Sequence, residues 1–256
     1  MRILFFGDVV GSPGRKILRK AIDKYSAEVD FIIVNGENAA HGYGITPKVV
    51  EEILDMGVDV ITTGGHVFDR PQWKEAIERY HQVVVPGNYP GMLERGFYIS
   101  SKGVAVMNLH GQVFVNIVFE HPFRVAEDIV KRIKDEAGDI PIILDFHGEA
   151  TSEKVAMGWF LDGKITAVVG THTHVPTADE RVLPGGTGYL TDVGMCGCRN
   201  TVIGMDKDAA VARFATGVPH RLSPPEKCKA LVAYGVIIEV SDEGKTTSMR
   251  RVEYYE

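Results

Sequence analysis

Residues 165–169 form an apolar run rich in Val, Ile and Ala, closed by Gly170 and followed by Thr171-His172-Thr173-His174. Such a run predicts a buried strand ending in a tight turn. A strand that delivers two imidazoles at its C-terminal end is a common way to present metal ligands. Two exposed loop histidines are the plain alternative, so the rest of the chain has to decide.

The rest of the chain repeats the pattern. Residues 2–6 predict a first strand that ends at Gly7-Asp8. Ser12-Pro13 predicts an N-cap with proline in the first turn of a helix to about Ser26. Residues 31–34 predict a second buried strand, ending at Asn35-Gly36-Glu37-Asn38. Thr46-Pro47 opens a helix closed by Gly57, and residues 58–62 predict a strand ending at Gly64-Gly65-His66. Further helices are expected over 71–80, 124–137, 151–161 and 206–216, and further strands over 83–85 and 140–146, the latter ending at His147. Residues 97–100 and 104–109 read as antiparallel neighbours, and 229–240 with 246–255 as a closing hairpin. No repeat or linker interrupts the 256 residues, so one domain spanning 1–256 is the simplest account. Alternating strands and helices predict a layered α/β sandwich with some antiparallel strands in its second half.

Charge narrows the partners. A formal net charge of -6 supplies no generic electrostatic grip on nucleic acid, so RNA stays open as a partner without support from charge. Three cysteines are too few, and odd in number, for a disulfide framework; free thiols in a reducing cytoplasm are the expectation. The N-terminal apolar run is cut by Asp8 and has no cleavage pattern, and no run approaches the length of a membrane span.

Asp8, Glu37, Asn38, His66, His147, His172 and His174 all fall at predicted strand ends. Each alone has a structural explanation, such as capping a helix or bracing a turn. Together they sit where open α/β sheets bind ligands, beyond the carboxyl ends of the strands. Carboxylate, amide oxygen and imidazole suit zinc, manganese or iron, and are too nitrogen-rich for calcium. The donors outnumber what one four-coordinate ion needs, so two ions sharing a carboxylate, about 3.5–4 Å apart, is the natural solution. A hydroxide held between two cations attacks at neutral pH, while the cations neutralise charge on phosphoryl oxygens. No Walker sequence, no dinucleotide fingerprint and no Gly-x-Ser-x-Gly elbow is present.

The stretches 7–15 (Gly-Asp-Val-Val-Gly-Ser-Pro-Gly-Arg), 35–40 (Asn-Gly-Glu-Asn-Ala-Ala), 145–154 (Asp-Phe-His-Gly-Glu-Ala-Thr-Ser-Glu-Lys), 170–175 (Gly-Thr-His-Thr-His-Val) and 191–195 (Thr-Asp-Val-Gly-Met) resemble the bacterial YmdB family. That family is a branch of the calcineurin-like metallophosphoesterases. The resemblance implies a four-layer α/β/β/α sandwich and phosphodiesterase activity on a small nucleotide substrate, notably a 2′,3′-cyclic nucleotide. It also implies two divalent or mixed-valence transition metal ions, iron or manganese ahead of zinc. By position, Asp8, Glu37, Asn38 and His174 would hold the first ion. Bridging Glu37, with His147 and His172, would hold the second, and His66 would be the proton donor. Two positions depart from the family. Gly65 stands where the family has an asparagine ligand of the second ion, with water or Asn88 to fill the gap. His110 stands where glutamine is expected. A phosphomonoesterase on the same scaffold and a low-turnover nucleotide- or RNA-binding regulator are the alternatives. Homo-oligomerisation is left open.

Overall fold

The computed structural model describes residues 1–225 and 227–256. In chain order the strands and helices are β1 (Arg2–Phe6), β2 (Asp8–Val9), α1 (Gly11–Tyr25), β3 (Phe31–Asn35), α2 (Pro47–Leu54), β4 (Val60–Thr62), α3 (Trp73–Arg79) and β5 (Val83–Val84). Next come β6 (Phe97–Ile99), β7 (Ala105–His110), α4 (Pro122–Ala137), β8 (Ile142–His147), α5 (Thr151–Phe160), β9 (Ala167–Thr171), β10 (Arg181–Val182) and β11 (Gly188–Leu190). The chain closes with β12 (Met195–Cys198), α6 (Lys207–Thr216), β13 (Leu231–Val240) and β14 (Thr246–Tyr255).

The strands form two sheets. One runs β2-β12-β13-β1-β3-β4-β5, with β14 also paired to β13. The other runs β10-β11-β9-β8-β7-β6. Strands β1, β3, β4 and β5 are parallel neighbours, as are β7, β8, β9 and β11. The two-residue period of a strand sorts the apolar side chains. Ile3 and Phe5 of β1, with Phe31 and Ile33 of β3, join Ile143 of β8 and Val169 of β9 in one buried cluster. The intervening Leu4, Phe6, Ile32 and Val34 pack with Ile17, Leu18 and Ala21 of α1 and Val50 of α2. Leu144 and Phe146 of β8 pack with Ile129 and Ile133 of α4 and Met157 of α5. The apolar side chains of β1 and β3 thus divide between a cluster shared with α1 and α2 and a cluster shared with β8 and β9, while β8 also packs with α4 and α5.

Helix boundaries follow local chemistry. Thr46 caps α2 by accepting from the Val49 N–H, with Pro47 at the first helical position. Asp206 caps α6 by accepting from the Asp208 and Ala209 N–H groups. At α1 the expected Ser12 cap is absent: the helix begins at Gly11, and Val10 occupies the cap position without a side-chain bond. Gly11 has φ +60° and already turns the chain, which leaves Ser12 inside the first turn.

The cysteine expectation is corrected. Cys198 and Cys228 form a disulfide, and Cys196 alone is a free thiol. Strand β13 pairs antiparallel with β12, and its first residue, Leu231, lies opposite Cys198. That return brings the Cys228 Cα to 5.9 Å from the Cys198 Cα, within bridging reach. Among the described residues no helix is long and apolar enough to cross a membrane.

Candidate metal centre

The site lies where parallel strands of both sheets end. In the second sheet His110, His147 and Thr171 stand in one row across β7, β8 and β9, so their side chains leave the sheet at one level. In the first sheet β3 ends at Asn35, opposite Thr62 of β4. Glu37 and Asn38 follow in the next turn, and Gly64, Gly65 and His66 follow β4.

Glu37, His147 and His172 form a compact group. One donor atom from each lies within 4.8 Å of the other two. His147 Nε2 is 3.0 Å from Glu37 Oε1 and 3.0 Å from His172 Nδ1. Beside them Asp8, Asn38 and His174 come together: His174 Nε2 is 3.2 Å from Asn38 Oδ1 and 3.7 Å from Asp8 Oδ1. Asp8 Oδ2 accepts from the His172 N–H, while Asp8 Oδ1 is buried with no hydrogen-bond partner among the described residues. Leaving a buried carboxylate oxygen unpaired is costly. An orphaned oxygen beside imidazole nitrogens is what a cation site looks like in the protein frame alone, so this donor set fits transition-metal ions.

The electrostatics agree. Burial works against charge on Glu37, yet the His147 imidazole overrides it and holds the carboxyl below the usual carboxylate range. Burial likewise opposes charge on His147, but Glu37, Asp8 and Asp145 outweigh it and push the imidazole up to about 9. A proton on His147 thus takes the place of a cation. Burial, with His147 close by, lowers His172 to about 2 and leaves it neutral with a free lone pair. Burial raises Asp8.

A second layer of contacts fixes these groups, and sequence reasoning assigned it no role. Asp145 accepts from Asn35, Thr62 and Thr171, at 2.9, 2.5 and 2.6 Å. Thr171 Oγ1 in turn lies 2.8 Å from His147 Nδ1 and orients that ring. Lys154 is buried and pairs with Asp192 at 2.8 Å while donating to the Thr171 carbonyl. Asp192 also accepts from the Thr173 N–H, so the ion pair grips the turn bearing both histidines. His172 and His174 have φ 99° and 64°, a left-handed conformation that such a grip has to hold. Glu149 stands 3.1 Å from His172 Nε2.

His66 lies at the rim. Its N–H donates to Glu37 Oε2, and its Nδ1 is 2.8 Å from Asp69 Oδ2. Its side chain is 41% exposed, which leaves the opposite ring nitrogen free to meet a ligand. Asn88 is not available as a donor: its amide accepts from the His110 N–H and donates to the His110 carbonyl, both at 2.8 Å.

The family model described as YmdB-like protein matches residues 4–252. A Bacillus subtilis protein named 2′,3′-cyclic-nucleotide 2′-phosphodiesterase is 44% identical over 252 residues, covering 96% of this chain and 93% of the relative. A solved Mycoplasma pneumoniae structure described as a novel phosphatase superposes with a TM-score of 0.90 at 30% identity, covering 100% of this chain and 93% of that one. A Thermus thermophilus 5′-nucleotidase precursor shares the fold at 10% identity, with a TM-score of 0.57 over 99% of this chain and 54% of its own.

Proposed function

The chain belongs to the YmdB-like family, and on that premise we propose that it is a metal-dependent phosphodiesterase that opens 2′,3′-cyclic nucleotides to nucleoside monophosphates. One observation carries the reading: three donors within 4.8 Å, from Glu37, His147 and His172, lie beside a buried Asp8 oxygen that no group among the described residues satisfies. The name of the Bacillus subtilis relative supplies the substrate class.

Asp8, Glu37, Asn38 and His174 would hold one ion, and Glu37, His147 and His172 the other, with iron or manganese the leading choices. The chemistry that such ions would supply there is activation of water at neutral pH and neutralisation of charge on phosphoryl oxygens. The chain's own groups do the rest. Thr171 and Asp145 keep the His147 ring in position. The Asp69 carboxylate accepts from His66 Nδ1, which sets the orientation of the ring. The other nitrogen of His66 then donates its proton to the departing ribose oxygen. The two helix-covered sheets support a four-layer α/β/β/α order within a single domain spanning residues 1–256.

The test is chelation followed by add-back of manganese or iron, reading hydrolysis of a 2′,3′-cyclic nucleotide and of bis- and mono-p-nitrophenyl phosphate. Loss and recovery with preference for diesters is the expected result. Full diesterase activity after exhaustive chelation sinks the metal-dependent reading, and preference for the monoester would make the protein a phosphomonoesterase.

A further inference from the structure

We infer that the His110 imidazole, through Nε2, is a fourth protein ligand of the ion held by Glu37, His147 and His172, using the room that Gly65 leaves. The inference rests on the two-ion reading proposed above.

Gly65 is not in the left-handed region, so its backbone does not require glycine. What glycine supplies there is space. A Cβ at residue 65 would lie 3.3 Å from His110 Nε2, tighter than an ordinary contact. The adjacent Gly64 abuts the donor group itself: a Cβ there would lie 2.4 Å from Glu37 Oε2 and 2.5 Å from His147 Nε2. The Nε2 edge of His110 therefore faces the glycine turn that lines the centre.

The ring is prepared for this role. His110 Nδ1 lies 2.6 Å from the Gly111 carbonyl. A carbonyl only accepts, so Nδ1 carries the proton and Nε2 presents a lone pair. The ring stacks on Phe119 with centroids 4.4 Å apart, and Asn88 clamps the peptide from both sides. Nε2 makes no hydrogen bond among the described residues.

The three imidazole rings are close neighbours. The centroid separations are 4.8 Å for His147–His172, 5.2 Å for His110–His147 and 6.1 Å for His110–His172. His110 stands outside the group whose donor atoms all lie within 4.8 Å, so binding has to draw its nitrogen inward.

The experiment measures stoichiometry and affinity for Mn²⁺ in chelator-stripped protein. The parent should bind two ions per chain. His110→Ala should weaken the second by about 10–100-fold and leave the first unchanged. The paired variant G65N/H110Q, which moves the donor from residue 110 to residue 65, should recover the second site, whereas a merely structural role for His110 would not be rescued that way. A readout without substitution covers a variant that fails to fold: in ¹⁵N-labelled parent protein, the second equivalent of Zn²⁺ should move His110 Nε2 into the metal-bound range. An unchanged second affinity in His110→Ala, or an unmoved Nε2 resonance, overturns the inference and leaves the two-ion reading standing. A parent that binds only one ion overturns both.

Discussion

Glu37 Oε1 and His147 Nε2 stand 3.0 Å apart where the two sheets end, with almost no exposure on either side chain. In the absence of metal this is a carboxylate paired with an imidazolium. On the proposed reading an ion bound between them would displace the proton, so uptake of that cation should release one.

The pH dependence follows. The folded value for His147 is raised from an ordinary 6.5 to about 9. Its contribution to the stability of metal-free protein is therefore fully present below about 6.5 and lost as pH rises through about 9. Metal affinity runs the other way, rising over that window as the competing proton leaves. Thermal melting with and without Mn²⁺ across that range checks both signs. A metal-free protein whose midpoint rises steadily through the window would contradict the assignment.

His66→Ala separates binding from chemistry. Turnover of a 2′,3′-cyclic nucleotide should fall by about 10²–10⁴, because the ribose oxygen leaves poorly without a proton. With bis-p-nitrophenyl phosphate the loss should be much smaller, since nitrophenolate needs no proton. Metal content should match the parent. Equal losses on both substrates would make His66 a positioning residue.

Reduction should expose the cost of opening the Cys198–Cys228 bridge, which closes a segment 30 residues apart in sequence. Removing it with paired serine substitutions should destabilise the protein by about 2–4 kcal/mol in denaturant melts. Thiol titration of the unreduced, unfolded chain should find Cys196 alone.

What was legible in the sequence tracks how local its cause is. Strands β1 and β3 and the β13–β14 hairpin could be read because their apolar runs and bounding turns are contained in a few residues. Strands β2, β10, β11 and β12 could not. They are two to four residues long, and β12, Met195–Cys198, gains its pairing from β2 and β13, far away in the chain. The gathering of Asp8, Glu37, Asn38, His147, His172 and His174 was legible because parallel strands bring their carboxyl ends together. Their roles as ligands stand as the proposal above. The disulfide left no signal, since its two cysteines meet only after a long excursion returns. Lys154 also left none: a lysine in an amphipathic helix ordinarily faces water, and only its partner Asp192 explains burying it.

That partner makes Lys154 the most informative residue outside the donor set. Its side chain is 2% exposed and that of Asp192 is fully buried, with 2.8 Å between Lys154 Nζ and Asp192 Oδ2. Replacing Lys154 with Met keeps the length of the side chain and removes the charge, leaving Asp192 buried beside the backbone N–H groups of Thr173 and Gly194. Breaking one side of a buried pair costs about 3–5 kcal/mol, and that loss should appear in denaturant melts of Lys154→Met. The local effect should be larger than the global one. The Thr171 carbonyl loses its side-chain donor, and the left-handed turn through His172 and His174 loses the lysine that braces it. Both imidazoles should then bind metal less tightly even at temperatures where the variant is folded. Melting curves and Mn²⁺ titration on the same preparation distinguish the two effects. A variant that loses stability but takes up both ions with parental affinity would restrict Lys154 to the core.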